Sequence, residues 1–132
     1  MATTALSIIK RALRLAKVID AYTAPDANDA ADALDTLNAM LAEWHEAEIG
    51  LPDYSFANLT DELASDAADR EAIAYQLAAR LAPEYGVDLS PVVAAVAEGT
   101  MNRVRLRYFQ PGCVDFSQLP GRCHYFNFEM GE

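Results

Sequence analysis

The chain has 132 residues, 52% of them hydrophobic, and a formal net charge of −10. A chain of this length fits one domain and buries about two thirds of its unfolded surface, which excludes wholesale disorder. So acidic a composition argues against tight general binding of nucleic acid, which requires clustered Lys and Arg. No run approaches the roughly 20 apolar residues that span a bilayer.

The sign of the charge changes along the chain. Residues 1–19 carry four basic residues and no acid, whereas residues 20–98 carry seventeen acids and only two arginines. Residues 99–132 have a net charge of +1. A basic beginning and an acidic body give one molecule two opposite faces, although an acidic surface can also serve only to keep the protein dissolved.

The first predicted helix begins after Thr3 or Thr4, both of which suit an N-cap, and runs to about residue 19. Its inward-facing positions recur at helical spacing: Leu6, Ile9, Leu13 and Ala16. Its basic stripe lies on the other side: Lys10, Arg14 and Lys17. This stripe is either a contact for DNA, a membrane or a partner, or a solvated face that balances an acidic neighbour, and the second interpretation is favoured.

A linker that contains Pro25 leads to a second helix, predicted over residues 29–48. Its apolar side comprises Ala30, Leu34, Leu37, Leu41 and Trp44. Acids crowd its N-terminal half, where the helix dipole favours them: Asp26, Asp29, Asp32 and Asp35. Residues 51–60 have no helical period and predict a short extended or hairpin-like loop, and residues 61–63 predict a single turn.

The stretch EAIAYQLAARLAPEYG, residues 71–86, predicts the central helix, because apolar residues cover most of its circumference. Ser65 or Asp66 suits its N-cap, and Pro83 and Gly86 predict its end. The predicted core draws on this helix and the second one: Leu37, Leu41, Trp44, Ile73, Leu77 and Leu81. Ser90-Pro91 predicts the start of a fourth helix, which continues to about residue 108.

The sequence changes character at residue 113. Residues 113–132 have no helical period, and they hold four aromatic residues: Phe116, Tyr125, Phe126 and Phe128. A segment this aromatic needs a surface to bury against, either its own bundle or a partner. The predicted fold is all-α, a bundle of about four helices with a short extended loop between helices 2 and 3 and an extended aromatic C-terminal arm. We expect a helical domain over residues 1–112 and a docking arm over residues 113–132.

Catalytic and metal-binding motifs are not found in the sequence. His45 and His124 lie far apart, and the spacing of Cys113, Cys123 and His124 matches no zinc motif. There is no Gly-rich phosphate loop and no nucleophile elbow. Two cysteines do not form a disulfide framework and indicate a reducing compartment. We therefore expect no enzymatic activity, no metal and no cofactor.

Two stretches resemble a known family. DALDTLNAMLAEWHEAEIGL, residues 32–51, resembles the second helix of the head-to-tail connector proteins of tailed bacteriophages. IAYQLAARLAPEYGVDLSP, residues 73–91, is similar to their central helix and the start of the helix that follows. The resemblance is closest to the adaptors of short-tailed phages, the tail accessory factors that stabilise packaged DNA. It covers most of residues 3–108 by pattern, and the C-terminal segment agrees in character but is shorter than in longer members.

The resemblance implies a structural protein of the virion neck, made in the cytoplasm of the host bacterium. It implies a ring, twelve-fold in this family, beneath the portal protein, which extends the DNA channel and offers an attachment surface to a downstream tail or nozzle protein. Double-stranded DNA would pass an acidic channel wall without sequence-specific binding, because such a wall repels phosphate. No membrane contact is implied.

Within such a ring, the residues named above take particular roles. The aromatic residues of the arm would dock on the portal: Phe116, Tyr125, Phe126 and Phe128. Contacts between neighbouring copies would join the basic first helix to the acidic second helix: Lys10, Arg14, Lys17, Asp32 and Asp35.

Two other classes of function stay open. A small helical regulatory or DNA-binding module would use the basic first helix, and salt-dependent affinity for DNA would distinguish it. A cell-wall hydrolase, an activity that virion tail parts sometimes carry, would need a defined catalytic pair, which the sequence does not offer. Turbidity measurements on peptidoglycan would detect it.

Overall fold

The computed structural model describes residues 3–47, 49, 52, 54–63 and 66–109, and within these ranges it contains four helices. They are α1 (Ala5–Leu15), α2 (Ala27–Glu46), α3 (Ala67–Glu84) and α4 (Pro91–Arg107). These described ranges contain no strand, only an isolated antiparallel bridge between Thr4 and Glu62. The predicted all-α bundle is confirmed. The C-terminal arm predicted over residues 113–132 lies outside the described residues.

Helix α3 is central because it packs against each of the other three helices. All six residues of the predicted core are at most 5% exposed: Leu37, Leu41, Trp44, Ile73, Leu77 and Leu81. Buried alanines alternate with the large side chains along α3 and let the neighbouring helices approach closely: Ala72, Ala74, Ala78 and Ala82. Each fully buried aliphatic side chain contributes about 1.5–3 kcal/mol, so α3 carries a large share of the stability.

The end of α3 follows the predicted pattern. Pro83 lies in the last turn, and the helix ends one residue later, at Glu84. Gly86 has a φ of +66° and takes the left-handed conformation, so that Val87 N–H donates to the Ala82 carbonyl at 2.9 Å. This is the hydrogen-bond pattern of a Schellman motif, which satisfies carbonyls that the helix itself leaves free.

Helix α1 is shorter than predicted. Thr4 is its N-cap, with Thr4 Oγ1 accepting from Ser7 N–H at 3.3 Å, but the helix ends at Leu15 rather than near residue 19. Lys17 takes the left-handed conformation at φ +60°, and Val18 N–H donates to the Leu13 carbonyl at 2.9 Å. The apolar pattern in the sequence extends past the end of α1 because Val18 folds back over the last helical turn. The residue after a Schellman turn commonly makes such an apolar contact.

The loop between α2 and α3 closes over the start of α1. Residues 61–63, predicted as a turn, are instead extended, and that prediction was wrong. Their backbone groups pair with the start of α1: Asp61 O accepts from Ala5 N–H at 2.9 Å, and Leu63 N–H donates to the Thr3 carbonyl at 2.8 Å. Leu59 O, just before them, accepts from Leu6 N–H at 2.9 Å. The free N–H groups of the first turn of α1 are therefore satisfied by this loop.

One side chain of α2 fixes the loop at its centre. Asn38 Nδ2 donates to the Phe56 carbonyl, Asn38 Oδ1 accepts from Phe56 N–H, and both distances are 2.9 Å. The Phe56 ring is only 5% exposed and joins the core. The loop thus has one apolar anchor and a pair of hydrogen bonds that holds its backbone, and its described residues form no helix or strand.

Helix α4 begins as predicted, with Ser90 at the N-cap position and Pro91 as the first helical residue. The Ser90 side chain makes no capping hydrogen bond, so its contribution is conformational. The helix packs on α3 and buries only one narrow face: Ala97, Met101 and Val104. The opposite face carries large apolar side chains in solvent, which is relevant to function.

Candidate interaction surfaces

The basic residues of α1 do not all lie in one helical stripe. Lys10 is half-buried and Arg14 is exposed one turn further on, whereas Lys17 is exposed on the left-handed turn beyond the helix end. None of the three forms an ion pair with another described residue. They are positive charges that the described part of the bundle does not neutralise.

The acidic residues predicted to contact a neighbouring copy, Asp32 and Asp35 on α2, also carry charges that the described residues do not pair. Asp32 and Asp35 are exposed, and neither forms an ion pair within the described ranges. Burial is the main cause that raises the pKa of Tyr85. The negative charge of Asp29 and its hydrogen bond with the phenol raise the pKa further, and the charges of Asp32 and Glu84 add smaller effects. The N-terminal half of α2 therefore presents a concentrated negative potential.

A cationic cleft of about 480 Å³ lies between α1 and α3. Arg11, Arg14 and Arg70 line it, and Arg11 is partly neutralised by a 2.7 Å ion pair with Glu71. Arg70 donates from Nη1 to the hydroxyl of Thr3, and its Nε is buried without a described acceptor. No local spacing rule indicates this cleft, because Arg70 lies far from α1 in the chain, within an acidic segment.

A buried carboxylate organises the end of α4. Asp69 is only 1% exposed, Tyr108 Oη donates to Asp69 Oδ2 at 2.6 Å, and Arg107 Nη1 lies 3.4 Å from Asp69 Oδ1. Arg107 also forms an ion pair with Asp66, and its guanidinium lies 5.7 Å from the centre of the Tyr108 ring. The last turn of α4 is therefore attached to the first turn of α3, immediately before residue 110.

The proton on each phenol in this cluster is held more tightly than usual. The hydrogen bond to Asp69 is the main cause that raises the pKa of Tyr108 to about 12, and burial and the Asp69 charge add to it. Burial, followed by the same charge, raises the pKa of Tyr54. Sequence analysis did not foresee the cluster, since its members come from three distant segments of the chain.

An apolar groove of about 270 Å³ runs between α3 and α4 on the side of this cluster. Tyr75, Val96 and Val104 line it, and Arg103 and Arg107 border it. Other large apolar side chains on α4 and just after it are exposed without entering the groove: Val92 at 71%, Leu106 at 77% and Phe109 at 70%. So much apolar surface on one helix marks a contact face.

The remaining sequence candidates have simple outcomes. The four aromatic residues of the arm, and with them Cys113, Cys123 and His124, lie outside the described residues. His45 is exposed on α2. Among the described residues, no three Asp, Glu, His or Cys side chains come together as metal ligands, and no helix is long and apolar enough to cross a membrane.

The described surfaces are those of an assembly component: opposite charges on α1 and α2, apolar side chains exposed on α4, and a carboxylate cluster that holds the end of the last helix. The family model of the P22 tail accessory factor matches residues 1–109, which include all four helices, and the chain belongs to this family. A comparison with curated proteins finds no match. Membership makes the protein a structural, tail-related component of a phage virion, and implies that it acts by association with other virion proteins rather than by catalysis.

Proposed function

We propose that the protein is a head-to-tail connector adaptor: a twelve-fold ring beneath the portal that extends the DNA channel, stabilises packaged DNA and presents an attachment surface to a downstream tail protein. The observation that carries the proposal is the family match over residues 1–109, because it spans the whole helical bundle. The protein then occupies the neck of the virion, between the portal and the tail.

The unneutralised charges support the ring. In a head-to-tail contact, each copy uses one face toward the copy before it and another toward the copy after it, and the chain closes by rotation. Arg14 and Lys17 at the end of α1, and Asp32 and Asp35 on α2, are exposed and have no described ion-pair partner. We assign these charges, together with Lys10, to the contact between neighbouring copies.

The acidic surface suits a channel for DNA. Residues 20–98 carry seventeen acids against two arginines, and one of these arginines, Arg80, pairs with Glu43 at 2.8 Å. A surface of this charge repels phosphate, so DNA slides past it without sticking.

Residues 113–132 serve in this proposal as the arm that docks on the portal. Phe116, Tyr125, Phe126 and Phe128 are of the residue type that anchors protein interfaces, because aromatic rings bury a large area at low entropic cost. The end of α4, which precedes the arm in the chain, is held to α3 by the hydrogen bond from Tyr108 to Asp69.

Native mass determination of the full chain mixed with its cognate portal ring tests the proposal. We expect a species with one copy per portal subunit. Replacing the four aromatic residues of the arm by serine abolishes it, whereas Tyr22→Ser, which changes a fully exposed tyrosine on the bundle, does not. If the protein does not associate with the portal at any ratio, the proposed portal binding is wrong.

Charge reversal tests the contact between copies. We expect Arg14→Glu with Lys17→Glu, and separately Asp32→Lys with Asp35→Lys, each to lower ring occupancy on the portal at least tenfold, about 1.4 kcal/mol per contact. An equimolar mixture of the two variants restores the ring, because alternating copies again match opposite charges, and a twelve-membered ring closes with two alternating partners.

The control for this experiment is Glu98→Lys, an exposed acid on α4 outside the proposed contact. It changes the net charge by two units, half the change of each double reversal, and leaves the ring intact. Equal losses in the control and in both charge variants would show that net charge, not a specific contact, governs assembly.

The cationic cleft between α1 and α3 is the observation that favours the alternative of a DNA-binding module. Glu71 opposes this alternative, because it neutralises Arg11 inside the same cleft. Titration of the full chain with duplex DNA at several salt concentrations decides between them. A steep loss of affinity with salt, removed by Arg14→Glu, would support the DNA-binding module.

A further inference from the structure

We propose that the groove between α3 and α4 holds the chain's own C-terminal segment in the free subunit, with Phe116 in the groove and Asp115 beside Arg103. This inference deepens the proposed function, and it rests on that function only for what displaces the segment: the portal, which competes for the same aromatic residues. The groove is then a storage site for the arm before assembly.

The groove offers apolar surface that nothing else in the described chain covers. Val96 is 38% exposed, and Tyr75 is half-buried on the facing side of α3. Val104 forms the buried floor. A volume of about 270 Å³ bordered by these side chains suits an aromatic ring, which would remove both exposed surfaces from water.

The position and length of residues 110–116 agree with this occupant. The groove ends at Arg107, two residues before Phe109, where the described chain stops. The distance along α4 from Arg107 to Val96 is about 16 Å at 1.5 Å per residue, and the four residues from Gly112 to Phe116 extend up to about 14 Å, which covers most of this distance. Pro111-Gly112 follows at once, a dipeptide that favours a turn, so the chain can reverse and run back along α4.

Charge also agrees. Arg103 borders the groove, is exposed and forms no ion pair with a described residue, whereas Arg107 at the groove end already contacts Asp66 and Asp69. Asp115 immediately precedes Phe116. A Phe that enters the groove therefore brings a carboxylate to the one bordering arginine whose charge the described residues leave unpaired.

The native thiol of Cys113 provides the test in the full chain. In a Cys123→Ser background, which leaves Cys113 as the native thiol, Thr100→Cys places a thiol in the groove, and Glu98→Cys places a matched thiol on the other flank of the same helix. A short thiol-specific crosslinker is applied at low protein concentration, and the joined peptides are identified by mass. We expect the link between residues 100 and 113 to exceed the link between residues 98 and 113 at least tenfold, in a species of monomer mass.

Two further substitutions show whether the groove itself is responsible. We expect Val96→Glu, which places a charge in the groove, to reduce the link from residue 100 at least fivefold. Val92→Glu is the matched control, because Val92 lies one turn away, is 71% exposed and does not line the groove. Both sites are exposed enough to accept glutamate, and urea unfolding confirms that each variant is folded.

Equal linking at residues 98 and 100, or links only between copies, would overturn the proposal. If the link forms in the free chain and decreases when the portal is added, the groove and the adaptor function are both supported. If the link forms and the portal has no effect, the groove proposal stands and portal docking fails. If no selective link forms but the portal binds, the groove proposal fails alone.

Discussion

Removal of the Tyr108 hydroxyl tests the cluster that holds the end of α4. In Tyr108→Phe, Asp69 keeps its charge but loses its 2.6 Å hydrogen bond, while remaining only 1% exposed. A hydrogen bond to a charged group contributes about 1.5–3 kcal/mol. Arg107 does not replace it, because its contact with Asp69 is longer, at 3.4 Å, and the same guanidinium also binds Asp66.

The pKa of Tyr108 sets an upper limit on the same contribution, because burial and the Asp69 charge raise this pKa together with the hydrogen bond. An increase from 10.0 to about 12 corresponds to about 2.7 kcal/mol at 1.36 kcal/mol per unit. Tyr108 is only part-buried, so solvent screening reduces this figure. The range for a hydrogen bond to a charged group and the reduced pKa figure are both consistent with a loss of about 2 kcal/mol in the free energy of unfolding for Tyr108→Phe.

The effect depends on pH with a defined sign. The folded state raises the pKa of this phenol, so its stabilisation is fully present below pH 10.0 and is lost as pH rises toward about 12. We expect the difference between wild type and Tyr108→Phe in urea unfolding to be about 2 kcal/mol at pH 8 and to shrink steadily above pH 10. The contribution of Tyr54 cancels in this difference, since both proteins contain it.

Tyr22→Phe is the control, because Tyr22 is fully exposed and forms no described hydrogen bond. It should leave the free energy of unfolding within about 0.5 kcal/mol of wild type. A Tyr108→Phe protein as stable as this control, or a deficit that does not change between pH 8 and pH 11, would refute the cluster as an element of stability.

Three further predictions concern the bundle itself. Asn38→Ala leaves the N–H and C=O of Phe56 without partners, which should cost about 2 kcal/mol and accelerate amide hydrogen exchange at Phe56. Gly86→Ala should cost about 1–2 kcal/mol in urea unfolding because φ is positive, whereas Lys17→Gly at the equivalent position of α1 should stabilise by up to about 1 kcal/mol. Leu77→Ala should cost about 2–5 kcal/mol, visible as a lower melting temperature, because it opens a cavity beneath α3.

Periodicity along the chain accounts for what could be predicted. Apolar side chains of α3 recur around most of the helix, and this pattern identifies a helix buried on several sides, which the structure confirms. Ser90-Pro91 and Gly86 mark helix ends through local conformational preference, which a sequence shows directly. These features depend on residues near one another in the chain.

The features that sequence analysis missed depend on residues that are distant in the chain. Tyr54, Asp69 and Tyr108 meet only because α3 packs on α4 beneath the loop, and no spacing rule connects them. The extended conformation of residues 61–63 is similar, since it is set by the free N–H groups of α1 about 55 residues earlier. The length of α1 was overestimated for a local reason, because a lysine rather than a glycine takes the left-handed turn.

The most direct test of the account is an electron cryo-microscopy reconstruction of the cognate portal incubated with the full chain. We expect one four-helix bundle per portal subunit, in a closed ring beneath the portal. In this ring, α1 of each copy faces α2 of the next copy, and residues 113–132 lie against the portal. Bundles bound without a ring, or attached through a face other than the C-terminal segment, would contradict it.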